Sequence, residues 1–345
     1  MKSQELKSYD GHSYELAGLF SLALRLVAGW TYFSAFWRRL VLENKLDPDA
    51  PGYIGEKFNH FLPNALGIQP MIEYLLLNPD ILWIAMTVFT LVEAVVGLLF
   101  MLGLFTRLMS VGVFGLAMGI LLGAGWIGTT CLDEWQIGIL GIAVGFTVFL
   151  SGSGRYSLDY YLMKNHPSIN EKPWFSWLAS GVMPIKANVL HKLVLGGSLA
   201  ILFITLLTNQ VFHGGVWGTL HNKSVKPKLE LSKPQLENGS LEFTVFRVEG
   251  VDVYGSWLIG IALEEPNGEA VLELDGKELA AFPESQIANT YVTKVKPGAH
   301  SLIIPLGGKA RLRIEDTSLT SLNKNEYRLR LTDISGAEWT IPVYK

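Results

Sequence analysis

The sequence predicts an α-helical membrane bundle, a four-helix core with a fifth transmembrane helix, followed by an all-β immunoglobulin-like sandwich. Three observations carry this. Apolar residues concentrate in positions 16–212, whereas the rest of the chain reads as soluble protein. Five runs in the apolar part are long enough to span a bilayer of about 30 Å. From about Lys226 the apolar period changes to two, the pattern of half-buried strands.

Composition agrees. The 345 residues allow two or three domains, and 49% are hydrophobic against 17% charged. Mean hydropathy is +0.29, more than a soluble domain needs. A net charge of −3 offers no footing for nucleic acid. One cysteine excludes an intramolecular disulfide, a CxxC pair and a cysteine-rich metal cluster. Lys2 and Lys7 precede an apolar run opening at Leu16, too long for a signal peptide and with no small-residue cleavage site. It reads as a retained first membrane helix.

The five spans are expected at 16–37, 80–104, 106–127, 134–151 and 190–212. Asn78 and Pro79 mark the start of the second, as cap and first-turn proline. Small residues allow membrane helices to approach closely. Gly115, Gly119 and Gly123 form such a ladder on the third span, and Gly138, Gly141 and Gly145 on the fourth, so both are expected to be packing faces of the bundle. Segment 40–79, with Pro48, Pro51, Pro63 and Pro70, is too long for a turn. Its pieces EKFNHFL and MIEYLLL read as short amphipathic helices over the outer mouth of the bundle. The 165–189 loop, with Trp174, Phe175 and Trp177 among its prolines, reads as an interfacial segment. The strands are LEFTVFRV, SWLIGIAL, AVLELDG, SLIIPL, ARLRIE, EYRLRL and EWTIPVY, separated by turn signals such as Asp275-Gly276 and Ser335-Gly336. The expected domains are 1–164 for the four-helix part, 165–225 for the loop and fifth helix, and 226–345 for the sandwich.

Lysine and arginine favour cytoplasmic loops. The N-terminal tail, Arg107 and the 152–192 loop carry eight on one side, against Arg38, Arg39, Lys45 and Lys57 on the other. The N-terminus is therefore expected inside and the C-terminal domain outside the cytoplasmic membrane.

The junction GWIGTTCLDEWQIG at 125–138 gathers Cys131, Asp133, Glu134, Trp126 and Trp135 between two spans. Cys131 has three readings: an inert buried thiol, a thiolate activated by Arg38, Arg39 and Lys57, or a metal ligand. No further ligands stand at compatible spacing for the last. His60 is the histidine expected to hang over this site, while His213 and His221 read as a chance pair. SGSGRYS at 151–157 matches only two glycines of a dinucleotide fingerprint and follows a membrane helix, against a flavin or NAD site. Within the spans, Arg25 and Glu93 would each cost about 3 kcal/mol unpaired. Counted from helix ends, they fall about 13.5 and 16.5 Å deep at 1.5 Å per residue, so they are expected to pair with each other. Such a pair would fix register, or line a proton route or quinone pocket. Arg25, Tyr32 and Arg39 are seven apart and share a helix face. Arg38 and Arg39, set against the charge rule, suggest an anion site or a snorkelling pair.

Three stretches carry a family resemblance: RLVAGWTYFSAFWRR at 25–39, EAVVGLLFMLGLFTRL at 93–108 and the 125–138 junction. Through them, residues 16–163 resemble the DoxD family, the larger subunit of thiosulfate:quinone oxidoreductase, within the wider DoxX-like membrane group. Residues 226–343 resemble DoxA, the smaller subunit. The chain therefore looks like a fusion of the two. The resemblance implies oxidation of thiosulfate to tetrathionate, with membrane quinone as exchangeable electron acceptor and no flavin, haem or metal. Lipid bilayer, thiosulfate and quinone are the implied partners, without nucleic acid, and homo-oligomerisation is left open. In that chemistry Arg38, Arg39, Lys57 and His60 would hold the dianion, and Cys131 would carry a sulfur adduct. Asp133, Glu134 or Glu93 would relay protons. Trp30, Trp126 and Trp135 would wall a quinone slot, with Arg25 and Glu93 on its proton path. Two other readings remain: a non-catalytic membrane scaffold whose sandwich binds a partner, and an anion carrier lined by Arg25.

Overall fold

Long apolar runs fold as helices because a bilayer leaves backbone groups no other partners. The computed structural model describes residues 12–128, 133–170, 172–237, 239–323 and 325–344, with the backbone alone at Asp133. In chain order the helices are α1 (His12–Phe20), α2 (Leu22–Phe36, continued by a wider π-type turn at Trp37–Leu42), α3 (Ile54–Phe61), α4 (Gln69–Leu77), α5 (Pro79–Leu102), α6 (Thr106–Ala124), α7 (Asp133–Ser151), α8 (Leu158–Asn165), α9 (Pro173–Leu178) and α10 (Ala187–Phe212). Ten strands and α11 (Gly276–Ala280) follow.

The chain forms two compact units. The first comprises Met1–Pro51, Ile84–Gly125 and Asp133–Leu220, and the second Gly52–Trp83, Trp126–Leu132 and His221–Lys345. Helices α5, α6, α7 and α10 are long and apolar enough to cross a membrane, and α1 with α2, bent by 50°, makes up to a fifth span. The chain is an integral membrane protein.

In the first unit, α2 and α5 cross at paired glycines. A Cβ at Gly29 would lie 2.8 Å from the Gly97 carbonyl, and one at Gly97 2.5 Å from the Phe33 nitrogen. Gly138, Gly141 and Gly145 of α7 press on α6 in the same way, as expected. The ladder on α6 does so only in part: Gly123 is buried, whereas Gly115 and Gly119 are exposed, with no described atom within 4 Å of a Cβ built on either. Glycine spacing marks a narrow helix edge but not which way it turns. The far end of the unit is knit by buried polar groups. Asp159 of α8 caps α6, accepting from the Phe105 and Thr106 nitrogens (2.8 and 3.0 Å), the Thr106 hydroxyl (2.7 Å) and the Ser180 hydroxyl (2.9 Å). Arg107 donates to the carbonyls of Phe149, Ser176 and Gly181.

The second unit is a sandwich of two antiparallel sheets with α3 and α4 packed into it. One sheet runs β1 (Lys228–Glu237), β2 (Ser240–Glu249), β8 (Lys309–Glu315), β5 (Ile287–Asn289). The other runs β10 (Glu338–Tyr344), β9 (Glu326–Asp333), β3 (Ser256–Glu264), β7 (Leu302–Ile304), β6 (Lys296–Pro297), with β4 (Ala270–Asp275) paired to β3. Alternation builds the core. In β8, Ala310, Leu312 and Ile314 point inward while Lys309, Arg311, Arg313 and Glu315 do not. All seven strands read from period two are present. The sequence reading omitted β1, whose stretch KLELSKPQLE carries Pro234 and a register shift between Ser232 and Gln235. Proline is tolerated there because β1 is an edge strand.

Asparagines key the loop helices to the sandwich. Asn59 of α3 is fully buried; its amide donates to the Gly307 carbonyl (2.8 Å) and its oxygen accepts from the Thr293 nitrogen (3.1 Å). Asn64 donates to the Val248 carbonyl (2.8 Å) and accepts from Lys223 (2.9 Å). Tyr291 donates to Glu73 of α4 (2.7 Å).

Candidate functional site

Two clusters of ionisable side chains sit among the predicted site residues, one in each unit. In the bundle, Arg39 donates to the Glu93 carboxylate at 2.5 Å and to the Thr90 hydroxyl at 2.9 Å, with its guanidinium 5.9 Å from the Phe89 ring centre. Thr90 in turn donates to the Met86 carbonyl one turn back (2.7 Å). Glu93 and Thr90 share a face of α5, three residues apart, and both are buried. Tyr32 lies two turns before Arg39 on α2 and is 4% exposed. Its hydroxyl stands 2.7 Å from where a Cβ of Gly141 would be, within electrostatic reach of Glu93. Among the described residues it makes no hydrogen bond.

The expected Arg25–Glu93 pair does not form. The helix count treated the first span as straight from Leu16, but the chain bends by 50° at Ser21 and α2 begins at Leu22. Arg25 is therefore near one end of the bundle, where it donates to the Tyr156 carbonyl at 2.5 Å. It lies against Gly103, whose φ of +67° needs glycine and whose Cβ would fall 2.0 Å from the guanidinium. Gly103 is ten residues beyond Glu93 on the chain, about 15 Å of helix. Arg39 is fourteen beyond Arg25, about 21 Å, and its long side chain leans back toward the start of its helix to meet Glu93.

In the second unit, Lys57 of α3 forms an ion pair with Asp252 of the β2–β3 loop. Arg247 holds that loop in place. It is fully buried on β2 and donates to four carbonyls: Glu249 (3.1 Å), Val251 (2.9 Å), Tyr254 (2.5 Å) and Ile304 (3.3 Å). Burial lowers its pKa to about 10, against the opposing pull of Asp333 and Asp252. His60, one turn after Lys57, has a buried Nδ1 with no hydrogen-bond partner among the described residues. Burial first, then the Lys57 charge, lower its pKa to about 4, with Asp252 pulling the other way and Arg247 adding to the depression. At neutral pH the imidazole is uncharged.

The remaining predicted residues are dispersed. Arg38 is exposed, unlike its neighbour Arg39. Trp30 is 55% exposed on α2. Trp126 is fully buried and donates to the Phe61 carbonyl (3.2 Å). Trp135 donates to the Thr208 hydroxyl (3.0 Å) and meets His213 edge-on at 6.3 Å. Glu134 is half-buried in the first turn of α7. Cys131 and the side chain of Asp133 lie outside the described residues. Among the described residues no group of three His, Cys, Asp or Glu side chains is placed to hold a metal ion.

Sequence reading missed Thr90, Asp252 and Arg247 as site residues. Arg247 had a signal: in LEFTVFRV it has the parity of the buried Leu241, Phe243 and Val245. Asp252, in a turn between strands, had none.

The family model for DoxD, a small subunit of thiosulfate:quinone oxidoreductase, matches residues 20–194, half of the chain. This chain belongs to the DoxD family. The model for DoxA, likewise described as a small subunit of that enzyme, matches residues 212–341. The larger-subunit role expected for the DoxD part is thus replaced by a small-subunit description. The DoxD match contains all of α2 to α9, hence Arg39, Glu93, Lys57 and His60, while Asp252 and Arg247 fall in the DoxA match. The chain is a thiosulfate:quinone oxidoreductase-related membrane protein in a DoxD–DoxA arrangement. No solved structure matches it.

Proposed function

We propose that this protein oxidises thiosulfate to tetrathionate and passes the electrons to a membrane quinone. The observation that carries the reading is the succession of both thiosulfate:quinone oxidoreductase families in one chain, DoxD then DoxA. In the proposed cycle the Cys131 thiolate and one thiosulfate join through a new sulfur–sulfur bond and release two electrons. The quinone takes both electrons and two protons to become the quinol. A second thiosulfate then attacks the adduct, tetrathionate leaves, and the thiolate is regenerated. Atoms and charge balance at each step, and quinone is the only oxidant.

Fixed cations are needed to bring two dianions together. Arg38 and Lys57 are proposed for this, with the uncharged His60 as a polar neighbour of Lys57. The quinone and proton path is proposed at Glu93, which Arg39, Thr90 and Tyr32 surround, with Asp133 and Glu134 as relays and Trp135 as a wall. A carboxylate inside an apolar bundle is costly and so points to use as well as register. The N-terminus is proposed to be cytoplasmic and the sandwich extracytoplasmic, as the loop charges suggest.

The test is steady-state reduction of a short-chain ubiquinone by purified protein with thiosulfate, with tetrathionate measured as product. Turnover at two thiosulfates per quinone is expected, and none with Cys131→Ser. Full turnover in Cys131→Ser would remove the covalent step and leave direct coupling of two bound thiosulfates. Failure of the wild type to reduce quinone would sink the enzyme reading.

A further inference from the structure

Lys57 is the one proposed substrate cation already held by a carboxylate from the DoxA-matching half. Its side chain is 40% exposed, so an anion from solution can reach it. Asp252 is 12% exposed and its loop is held by Arg247 at two carbonyls, those of Val251 and Tyr254, so it approaches Lys57 from a stiff support. Arg247, Asp333 and the uncharged His60 stand in the electrostatic neighbourhood of the pair. A part-exposed ion pair is worth at most about 1 kcal/mol, so its partner exchanges readily. A dianion offers Lys57 twice the charge of a carboxylate.

We infer that Asp252 is the resident counter-ion of the anion site, and that a dianionic substrate binds by displacing it from Lys57. The sandwich is then not a cap beside the site. It supplies a competing anion that sets how tightly anions bind. A monoanion merely replaces one charge by another, whereas thiosulfate gains. This rests on the proposed thiosulfate chemistry for the identity of the substrate, but not for the competition itself.

The test is Asp252→Asn in the full-length protein, which keeps the side chain's shape and removes its charge. The KM for thiosulfate should fall about three- to tenfold at low ionic strength, with kcat within twofold. The gain should shrink as salt screens the site, and disappear in a Lys57→Gln background. Isothermal titration with thiosulfate and with sulfate gives the same comparison without turnover, so a protein that binds but does not oxidise thiosulfate would sink the proposed reaction and leave this inference standing. An unchanged or higher KM and Kd in a folded Asp252→Asn protein would overturn it. Should Asp252→Asn fail to fold, Lys57→Gln alone decides: an unaltered thiosulfate Kd overturns the inference, and a rise of about tenfold supports it.

Discussion

Glu93 pairs with Arg39 and not with Arg25, at 2.5 Å between guanidinium and carboxylate. Both groups are largely buried in the bundle, so neither can fall back on water. Removing one partner of a buried pair leaves an uncompensated charge and costs about 3–5 kcal/mol. Arg39→Gln and Glu93→Gln should each destabilise the protein in detergent by about that much, and the double variant should lose clearly less than the sum. Arg25→Gln should add independently to Glu93→Gln, since the two sit about 15 Å apart along the bundle. Denaturant unfolding in detergent of the three single variants and the two double variants measures the coupling. Additivity between Arg39 and Glu93 would contradict the contact.

The Tyr32 hydroxyl makes no hydrogen bond among the described residues, although tyrosine hydroxyls in buried surroundings usually find a partner. It faces the bare backbone of Gly141 and lies near Glu93. Tyr32→Phe should leave unfolding in detergent within about 0.5 kcal/mol of the wild type, because no hydrogen bond is lost. If Tyr32 donates to a quinone oxygen beside Glu93, the same variant should raise the quinone KM about five- to tenfold, the value of one hydrogen bond. The thiosulfate KM should stay put. Equal shifts in both constants would speak for a general structural role.

How much of this was legible depends on the range of the interaction. Span positions and strands followed from local patterns: long apolar runs for α5, α6, α7 and α10, and period two for β2, β3 and β8. The α7 glycine ladder packs throughout, but the α6 ladder is buried only at Gly123 and open at Gly115 and Gly119, because spacing shows a smooth edge but not its neighbour. Arg25 was misplaced by a single bend at Ser21, which no residue there announces. The Lys57–Asp252 pair joins positions 195 apart in sequence, and only the tertiary fold of loop and sandwich brings them together. Local chemistry gave the candidate residues. Their partners had to come from the fold.

Asn59 reads two backbone groups of the sandwich at once, the Gly307 carbonyl and the Thr293 nitrogen. Gly307 has φ +72°, and a Cβ there would come within 2.4 Å of the Asn59 carbonyl oxygen, so the approach is possible only for glycine. Asn59→Ala orphans both groups in a fully buried place, at about 1–3 kcal/mol each. The expected result is a loss of about 2–5 kcal/mol in the stability of this unit. Limited proteolysis of residues 221–345 in the variant should run faster than in the wild type. Gly307→Ala should act in the same direction.

His60 links the same unit to pH. Its folded pKa is lowered to about 4, chiefly by burial and then by Lys57. An unfolded histidine titrates near 6.5. Above about pH 6.5 both states hold a neutral imidazole, and His60 imposes no penalty. As pH falls from about 6.5 to about 4, the unfolded chain takes up a proton that the folded one refuses, so stability drops through that window and levels off below it. A shift of this size corresponds to roughly 3 kcal/mol in total. Lys57, Asp252 and Arg247 are the charged groups acting on the ring, and none of them is replaced when His60 is. Thermal unfolding in detergent between pH 4 and 7 should therefore show a steeper acid loss for wild type than for His60→Phe, with the two curves converging toward parallel above pH 6.5. Parallel curves throughout would mean that His60 is protonated in the fold at mildly acidic pH, and that its ring is more open to water than its position in α3 indicates.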